Sequence, residues 1–480
     1  MRTEKDVIGE MQIPENALYG IHSMRAKHNF PDRTPFHIEW FKSVATVKLA
    51  VYQTYFRYKQ AVESKYPGEK LPFTFIQEEV IDALIKSSTE LSQGKCFDDF
   101  IVPGVQGGAG TSINMNVNEI ITNRALQILD KNPGQYNLVD PFEHANVFQS
   151  TNDVIPTALK ITIMKLLLEL EERINHLRAV LEQKERSYRN DLRMGFTQLQ
   201  EAVPSSFGKL FGAYNDALSR DWWRVSKALE RIKIVNIGGS AIGTGLSVPT
   251  YMIMEVVPTL QRLTGLPVTR SENLTDPTSN LDPLVEVHAI LKSHAVNLEK
   301  IVSDIRLLSS DMQSFKEITI PQKQVGSSVM PGKINPVIPE FVISASHKIY
   351  SNDSLISSLC GQGQLELNAY IPVIGHALID SLKLLIAAGE TIQKNLIEGM
   401  VIYPKVALKR IYNSPSVTTA LTPYIGYNKA SDIAYLMKNE KIDIFQANEK
   451  LKYMNKEKLK SVLSPEKLLK LGYQIQDLIE

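Results

Sequence analysis

Only two of the 480 residues are cysteine, Cys96 and Cys360, too few for a disulfide framework, so a reducing compartment is expected. Charge of one sign is also lacking. Lys+Arg number 53 against 52 Asp+Glu, leaving +1 net, which argues against a polyanionic partner. An anionic small molecule needs only a local cationic pocket and stays open. The first residues, Met-Arg-Thr-Glu-Lys-Asp, hold no apolar signal-peptide core, and no stretch reads as apolar enough to span a bilayer. The expectation is a cytoplasmic protein with neither a membrane nor a nucleic-acid partner. The nine histidines show no ligand cluster: His288 and His294, six apart in one helical run, lack the spacing of a metal pair, and no metal is expected. Sustained β-alternation is missing too, which leaves helices to form the core.

What is present is long apolar periodicity. Ile163, Leu167, Leu170, Ile174, Leu177 and Leu181 recur at steps of four and three. Phe211, Tyr214, Leu218, Trp222, Val225, Leu229 and Ile232 follow nearly the same spacing, as do Leu284, Val287, Leu291, His294, Leu298, Ile301, Ile305 and Leu308. Ile374, Leu378, Leu385, Ile392 and Leu396 suggest a fourth run. Such seams predict long helices packed nearly parallel in a bundle, and His294 on its seam reads as a packed interior histidine. Pro/Gly clusters near 133–141 and 399–404 place the breaks. The reading is an N-terminal mainly helical domain over 1–140, a central bundle over 141–400, and a small C-terminal helical domain over 401–480. Lys450, Lys452, Lys456, Lys458 and Lys460, interspersed with acids, read as a solvated helix face.

The chemistry concentrates in Gly326-Ser-Ser-Val-Met-Pro-Gly-Lys-Ile-Asn-Pro-Val-Ile-Pro-Glu340. Gly326, Pro331, Gly332 and Pro336 mark a shaped loop, not a helix. It presents a candidate base (Ser327 or Ser328), a fixed cation (Lys333) and an amide (Asn335). Removing a proton beside a carboxylate needs that set: a base for the C–H bond and donors for the charge that builds on the oxygens. A serine is a poor base unless activated, and loop amides after it could stabilise its alkoxide. Three more polar segments stand out: Gly107-Gly-Ala-Gly-Thr-Ser-Ile-Asn-Met-Asn-Val-Asn-Glu119, Gln149-Ser-Thr-Asn-Asp153 and Thr197-Gln-Leu-Gln200. The first fits neither a P-loop nor a dinucleotide fingerprint. Asn114, Asn116 and Asn118 read as satisfying backbone groups near a helix start. The second is a helix N-cap by composition, and a helix N-terminus also favours a bound carboxylate.

These segments, in this order, resemble the fumarase/aspartase superfamily, whose loop runs Gly-Ser-Ser-x-Met-Pro-x-Lys-x-Asn-Pro and is matched at every fixed position. The resemblance runs from about Asp6 to the last thirty residues or so. It implies a mainly α, three-domain fold in which bundles of four subunits form a twenty-helix core, with each site shared by three chains. It implies Ser327, the first serine of the pair, as the base that takes the Cβ proton of a dicarboxylate or amino-acid substrate. Lys333 and Asn335 would hold the α-carboxylate, and Thr111 matches a substrate-binding threonine. Ser150, Thr151 and Asn152 match residues for the β-carboxylate and amino group, with Thr197 and Gln198 the remaining pair. Ser328, Met330 and Glu340 would support the loop. No cofactor is required, while activation by a divalent cation is left open.

Within the superfamily, Tyr19-Gly-Ile-His-Ser-Met-Arg25, Gln106-Gly-Gly-Ala-Gly110, Thr197-Gln198, Asn335-Pro-Val-Ile-Pro-Glu340 and Pro372-Val-Ile-Gly375 resemble the aspartase branch. The implied reaction is anti elimination of ammonia from L-aspartate to give fumarate. Elimination of water, of a substituted amine, or a catalytically silent scaffold are the alternatives. Arg25 is either a further carboxylate contact or an exposed arginine. One departure is plain: Ser310-Asp-Met-Gln313 stands where the pattern reads Ser-Gly-Pro-Arg.

Overall fold

The computed structural model describes residues 1–479, and the chain is mainly α. Two short strands, β1 (Arg2–Lys5) and β2 (Glu10–Ile13), pair antiparallel ahead of α1 (Ile21–Asn29), α2 (Ile38–Lys65), α3 (Glu78–Ser92), α4 (Thr111–Ile128) and α5 (Thr151–Ser187). A hairpin of β3 (Leu192–Thr197) and β4 (Gln200–Ser206) leads into α6 (Phe207–Ile232), α7 (Thr250–Thr264) and the short α8 (Asp276–Ser279). Then come α9 (Asp282–Leu308), α10 (Val337–Cys360) and α11 (Ile371–Thr391). α12 (Pro404–Asn413), α13 (Thr422–Ile425), α14 (Tyr427–Glu440), α15 (Ile444–Leu451) and α16 (Lys456–Val462) follow. The chain gathers into two compact units: residues 1–170, 224–292 and 348–384 in one, and 171–223, 293–347 and 385 onward in the other. Helices α5, α6, α9, α10 and α11 contribute residues to both.

In the first unit α2 packs against α3 and α7, and α3 against α4. Helix α2 runs 28 residues without Gly or Pro and stops at Tyr66-Pro67-Gly68, where proline cannot continue the ladder. Its Trp40, Phe41, Val44, Val47 and Tyr52 are buried, each such side chain contributing about 1.5–3 kcal/mol. Pro156 interrupts α5 one turn in, freeing the Asn152 carbonyl, and Asn236 Nδ2 donates to that oxygen at 2.9 Å. Glu119 of α4 is buried and accepts from the backbone N–H groups of Gly20 and His22, each at 2.8 Å, and from Ser23. It thereby fixes the start of α1.

The apolar seams predict burial well. Every seam residue named for α5 is buried, and in α9 Leu284 through Ile305 are buried as well. In α6 the register slips: Ala228 is buried while Trp222 and Leu229 are half-buried, because a 3.6-residue turn drifts off a strict heptad. His294 is interior as expected, but it is not plain packing, since its Nδ1 meets the buried Asp221 carboxylate at 2.9 Å. One sequence expectation is corrected by α11. By length and composition Ile371–Ile397 is long and apolar enough to cross a membrane; most of its apolar window is buried in the fold, as suits a core helix.

In the second unit Leu192 and Met194 of the hairpin share a core with Ile411, Val417, Ile433 and Leu459 of the C-terminal helices. Thr197 pairs with Gln200, so Gln198 and Leu199 alone form the turn, with φ of 52° and 60°. Asn-Gly is the usual occupant of such a turn, because both central residues adopt positive φ. Here two side-chain-bearing residues are held there, at about 1–3 kcal/mol each.

Candidate active site

Within the first unit the fold brings four of the sequence candidates together. Gly108, Ala109 and Gly110 all have positive φ, and the chain then enters α4 at Thr111, whose side chain is exposed. A Cβ on Gly110 would stand 3.0 Å from Ile155 Cγ2, so the starts of α4 and α5 adjoin. Asn114 Nδ2 reaches Thr151 Oγ1 at 3.2 Å and Asn146 Oδ1 at 3.1 Å, and Asn118 Nδ2 also donates to Asn146. Only Asn116 of the three asparagines bonds to backbone, accepting from Ile101 N and donating to Asp99 O. The other two tie α4 to the segment ahead of α5.

Ser150 caps α5: its Oγ accepts from Asn152 N at 3.2 Å, while Asp153 Oδ1 accepts from Ser150 N at 2.9 Å. Asn152 Nδ2 donates to Ala241 O at 2.7 Å. Asp153 Oδ2 takes the N–H groups of Gly238 and Ser240 at 3.2 and 2.9 Å. Burial pushes the Asp153 carboxyl up to about 7, against the pull of those three amides and of Lys48. Lys48, likewise buried, is driven down to about 7 by desolvation and donates to Gln149 Oε1 at 3.0 Å. The loop that cradles this helix start, Gly238-Gly-Ser-Ala-Ile-Gly-Thr-Gly245, was not singled out by sequence reasoning. Its signal was present: four glycines in eight residues, with Gly243 at φ 84° and no room for a Cβ, which would lie 2.3 Å from Thr275 N.

The second unit carries the remaining candidates. Ser327 Oγ accepts from two loop amides, Val329 N at 3.1 Å and Met330 N at 2.8 Å. The loop is closed by Gly326 N donating to Lys333 O at 2.8 Å and Asn335 Nδ2 donating to Gly326 O at 2.7 Å. A Cβ on Gly326 would lie 2.6 Å from Asn335 N, so only glycine permits that closure. Ser328, Met330 and Lys333 are exposed. Glu340 opens α10 and pairs with Arg306 of α9 at 3.1 Å, tying two helices instead of the loop backbone. Arg25, in the first unit, is engaged: its guanidinium grips Asp6 at 2.7 and 2.8 Å and holds that carboxyl well below the usual range.

Segment Ser310–Gln313, where the sequence departs from its pattern, lines two clefts of this unit. One, of about 500 Å³, also holds Lys333 and Asn335. The other, of about 690 Å³, also holds Gln198 and Gln200. Gln313 Oε1 accepts from Arg410 Nη1 at 3.2 Å, and Arg410 also binds Glu201 at 2.7 Å and stacks on Phe196 at 4.6 Å. An arginine is thus present beside position 313, delivered by α12.

Sequence spacing gave no histidine cluster, and a pair brought together only by the fold lies outside what spacing can show. His37 and His376, far apart in the chain, stand with ring centroids 4.6 Å apart beside Asp380.

Known proteins resemble the chain throughout. Residues 9–351 match the family described as Lyase, and residues 417–470 match the Fumarase C C-terminus. An aspartate ammonia-lyase from Bacillus subtilis (strain 168) is 36% identical over 100% of this chain and 98% of its own length. One from Helicobacter pylori (strain ATCC 700392 / 26695) is 36% identical over 98% of each. Among solved structures, a fumarate lyase:delta crystallin from Brucella melitensis, bound to cobalt, superposes with a TM-score of 0.88. It is 32% identical, over 97% of this chain and 98% of the other. A class II fumarase from Schistosoma mansoni gives 0.85 at 26% identity, over 97% and 98%.

Proposed function

We propose, from the premise that this chain belongs to the fumarase/aspartase superfamily, that it catalyses the reversible deamination of L-aspartate to fumarate and ammonia. The observation that carries the mechanism is Ser327 Oγ, which accepts two loop N–H groups at 3.1 and 2.8 Å. Donors aimed at that oxygen stabilise it as an alkoxide, the form able to take the Cβ proton. The C–H electron pair moves into the β-carboxylate, giving a doubly charged aci-carboxylate. It then returns to form the C=C bond as the amine departs with the C–N pair.

Thr111, Ser150, Thr151 and Thr197 can donate to the developing charge without losing a proton, aided by Asn152 and Gln198. Lys333 and Asn335 hold the α-carboxylate. The superfamily relationship supports a homotetramer with sites shared between three chains. So do large apolar side chains left exposed on the bundle helices: Leu168 of α5, Val296 of α9, and Phe341 and Leu355 of α10. No cofactor is required in this scheme, and the enzyme works in the cytoplasm.

The test is the reverse reaction. Purified protein is incubated with fumarate, with and without ammonium, and products are read by NMR. Aspartate formed only with ammonium supports the proposal. Malate formed without ammonium makes the leaving group water, and no product in either tube refutes both.

A further inference from the structure

Three side chains that the elimination scheme does not use converge in the first unit. His37 immediately precedes α2; His376 and Asp380 lie one turn apart on α11. His37 Nε2 stands 3.3 Å from Asp380 Oδ1, and His376 Nε2 stands 3.4 Å from Asp380 Oδ2. The three potential ligand atoms all lie within 4.8 Å of one another. Atoms bound to a tetrahedral Zn²⁺ at about 2.0–2.1 Å are separated by about 3.3–3.4 Å, and each imidazole stands at that distance from one Asp380 oxygen, His37 from Oδ1 and His376 from Oδ2.

The plain alternative is a pair of His–carboxylate hydrogen bonds. It leaves one fact over: His37 Nε2 is buried and makes no aligned hydrogen bond despite its 3.3 Å approach to Asp380. A buried imidazole nitrogen at contact distance from a carboxylate but misaligned for a hydrogen bond is available to ligate an ion shared with that carboxylate. Gly104 leaves room for the His376 ring, since a Cβ there would lie 3.0 Å from His376 Nδ1.

We propose that His37, His376 and Asp380 form a site for a divalent transition ion of the Zn²⁺ or Co²⁺ class, clamping the chain ahead of α2 to α11. Two imidazoles and one carboxylate suit these borderline ions better than Mg²⁺ or Ca²⁺, which favour all-oxygen shells. Asp32 adds negative charge and Lys348 positive charge nearby, while Glu39 is occupied by Lys383 at 3.0 Å. His37 is almost sealed at 9% side-chain exposure whereas Asp380 is 35% exposed, which leaves an approach for the ion from Asp380's side.

The full chain, stripped with chelator, is titrated with Co²⁺. One equivalent per chain with the strong visible bands of a four-coordinate ion is expected, together with a higher melting temperature on adding Zn²⁺. Both signals vanish in His37→Ala and in His376→Gln, the second keeping a polar side chain in case the first fails to fold. His347→Ala, at the surface ion pair with Glu299, retains both. Absence of the bands in the native chain, or bands and melting shifts equal in all four proteins, overturns the site, the latter meaning an adventitious ion only.

Discussion

Replacing Ser327 with alanine removes one oxygen and leaves two loop amides pointing at nothing. A hydrogen bond to a charged group contributes about 1.5–3 kcal/mol, so the Val329 and Met330 amides together stabilise the alkoxide by about 3–6 kcal/mol. Both amides already reach the neutral hydroxyl, so it is the excess of their bonds to the alkoxide over those to the hydroxyl that favours deprotonation. Loss of a general base lowers the rate by roughly 10²–10⁴-fold, or about 2.7–5.5 kcal/mol of barrier. The assay is initial rate of fumarate formation from aspartate under saturating conditions, with oligomeric state and melting temperature measured in parallel. The Ser327→Ala variant should lose at least a hundredfold in kcat while assembling and melting like the parent, because the loop is mostly exposed. Gly326→Ala should fall in the same range through loop opening, since its Cβ would meet Asn335 N at 2.6 Å. A Ser327→Ala variant with full kcat would refute the base assignment outright. A variant with normal kcat but raised KM would make Ser327 a binding group instead.

Gly243→Ala should lower the melting temperature sharply, because a Cβ there would lie 2.3–2.4 Å from the Leu274–Thr275 backbone at φ 84°; an unchanged melt would show that the cradle yields freely. Leu168→Asp places a charge on an exposed apolar position of α5 and should yield a folded, dissociated and inactive chain by gel filtration and circular dichroism. An active monomer would refute the shared-site architecture. Asp6 titrates below its ordinary 3.8 in the folded chain because of Arg25. The stability from this pair is therefore present above that pH and lost as pH falls below it, and Arg25→Gln should flatten that acid limb in urea titrations.

The helices of the bundle were readable because their burial is periodic: Ile163 to Leu181 and Leu284 to Ile305 announce one face by spacing alone. The loop was readable for a different reason, since glycines and prolines at 326, 331, 332 and 336 leave few backbone paths. Contacts that depend on tertiary closure were not. His37 meets His376, Arg410 reaches Gln313, and Asp153 takes amides from Gly238 and Ser240, none of which a local window contains. Glu340 and Arg25 were assigned by motif, yet each is engaged with a specific ion-pair partner, Arg306 and Asp6, that the motif does not mention. The two compact units gather segments distant in sequence, whereas Pro/Gly punctuation marks only where the chain bends. The α6 slip at Ala228 shows how far a heptad reading can be trusted before helical drift moves the inward face.

For anyone engineering this chain, the Gln198-Leu199 dipeptide acts as a dial. Writing Asn-Gly there would relax two left-handed residues and yield a hardier scaffold, while deleting the Gln198 side chain from the cleft it lines. On the proposed substrate-binding role of Gln198, durability and turnover are set against each other at a single two-residue tip, and a thermostabilising screen that ignores activity should converge on it.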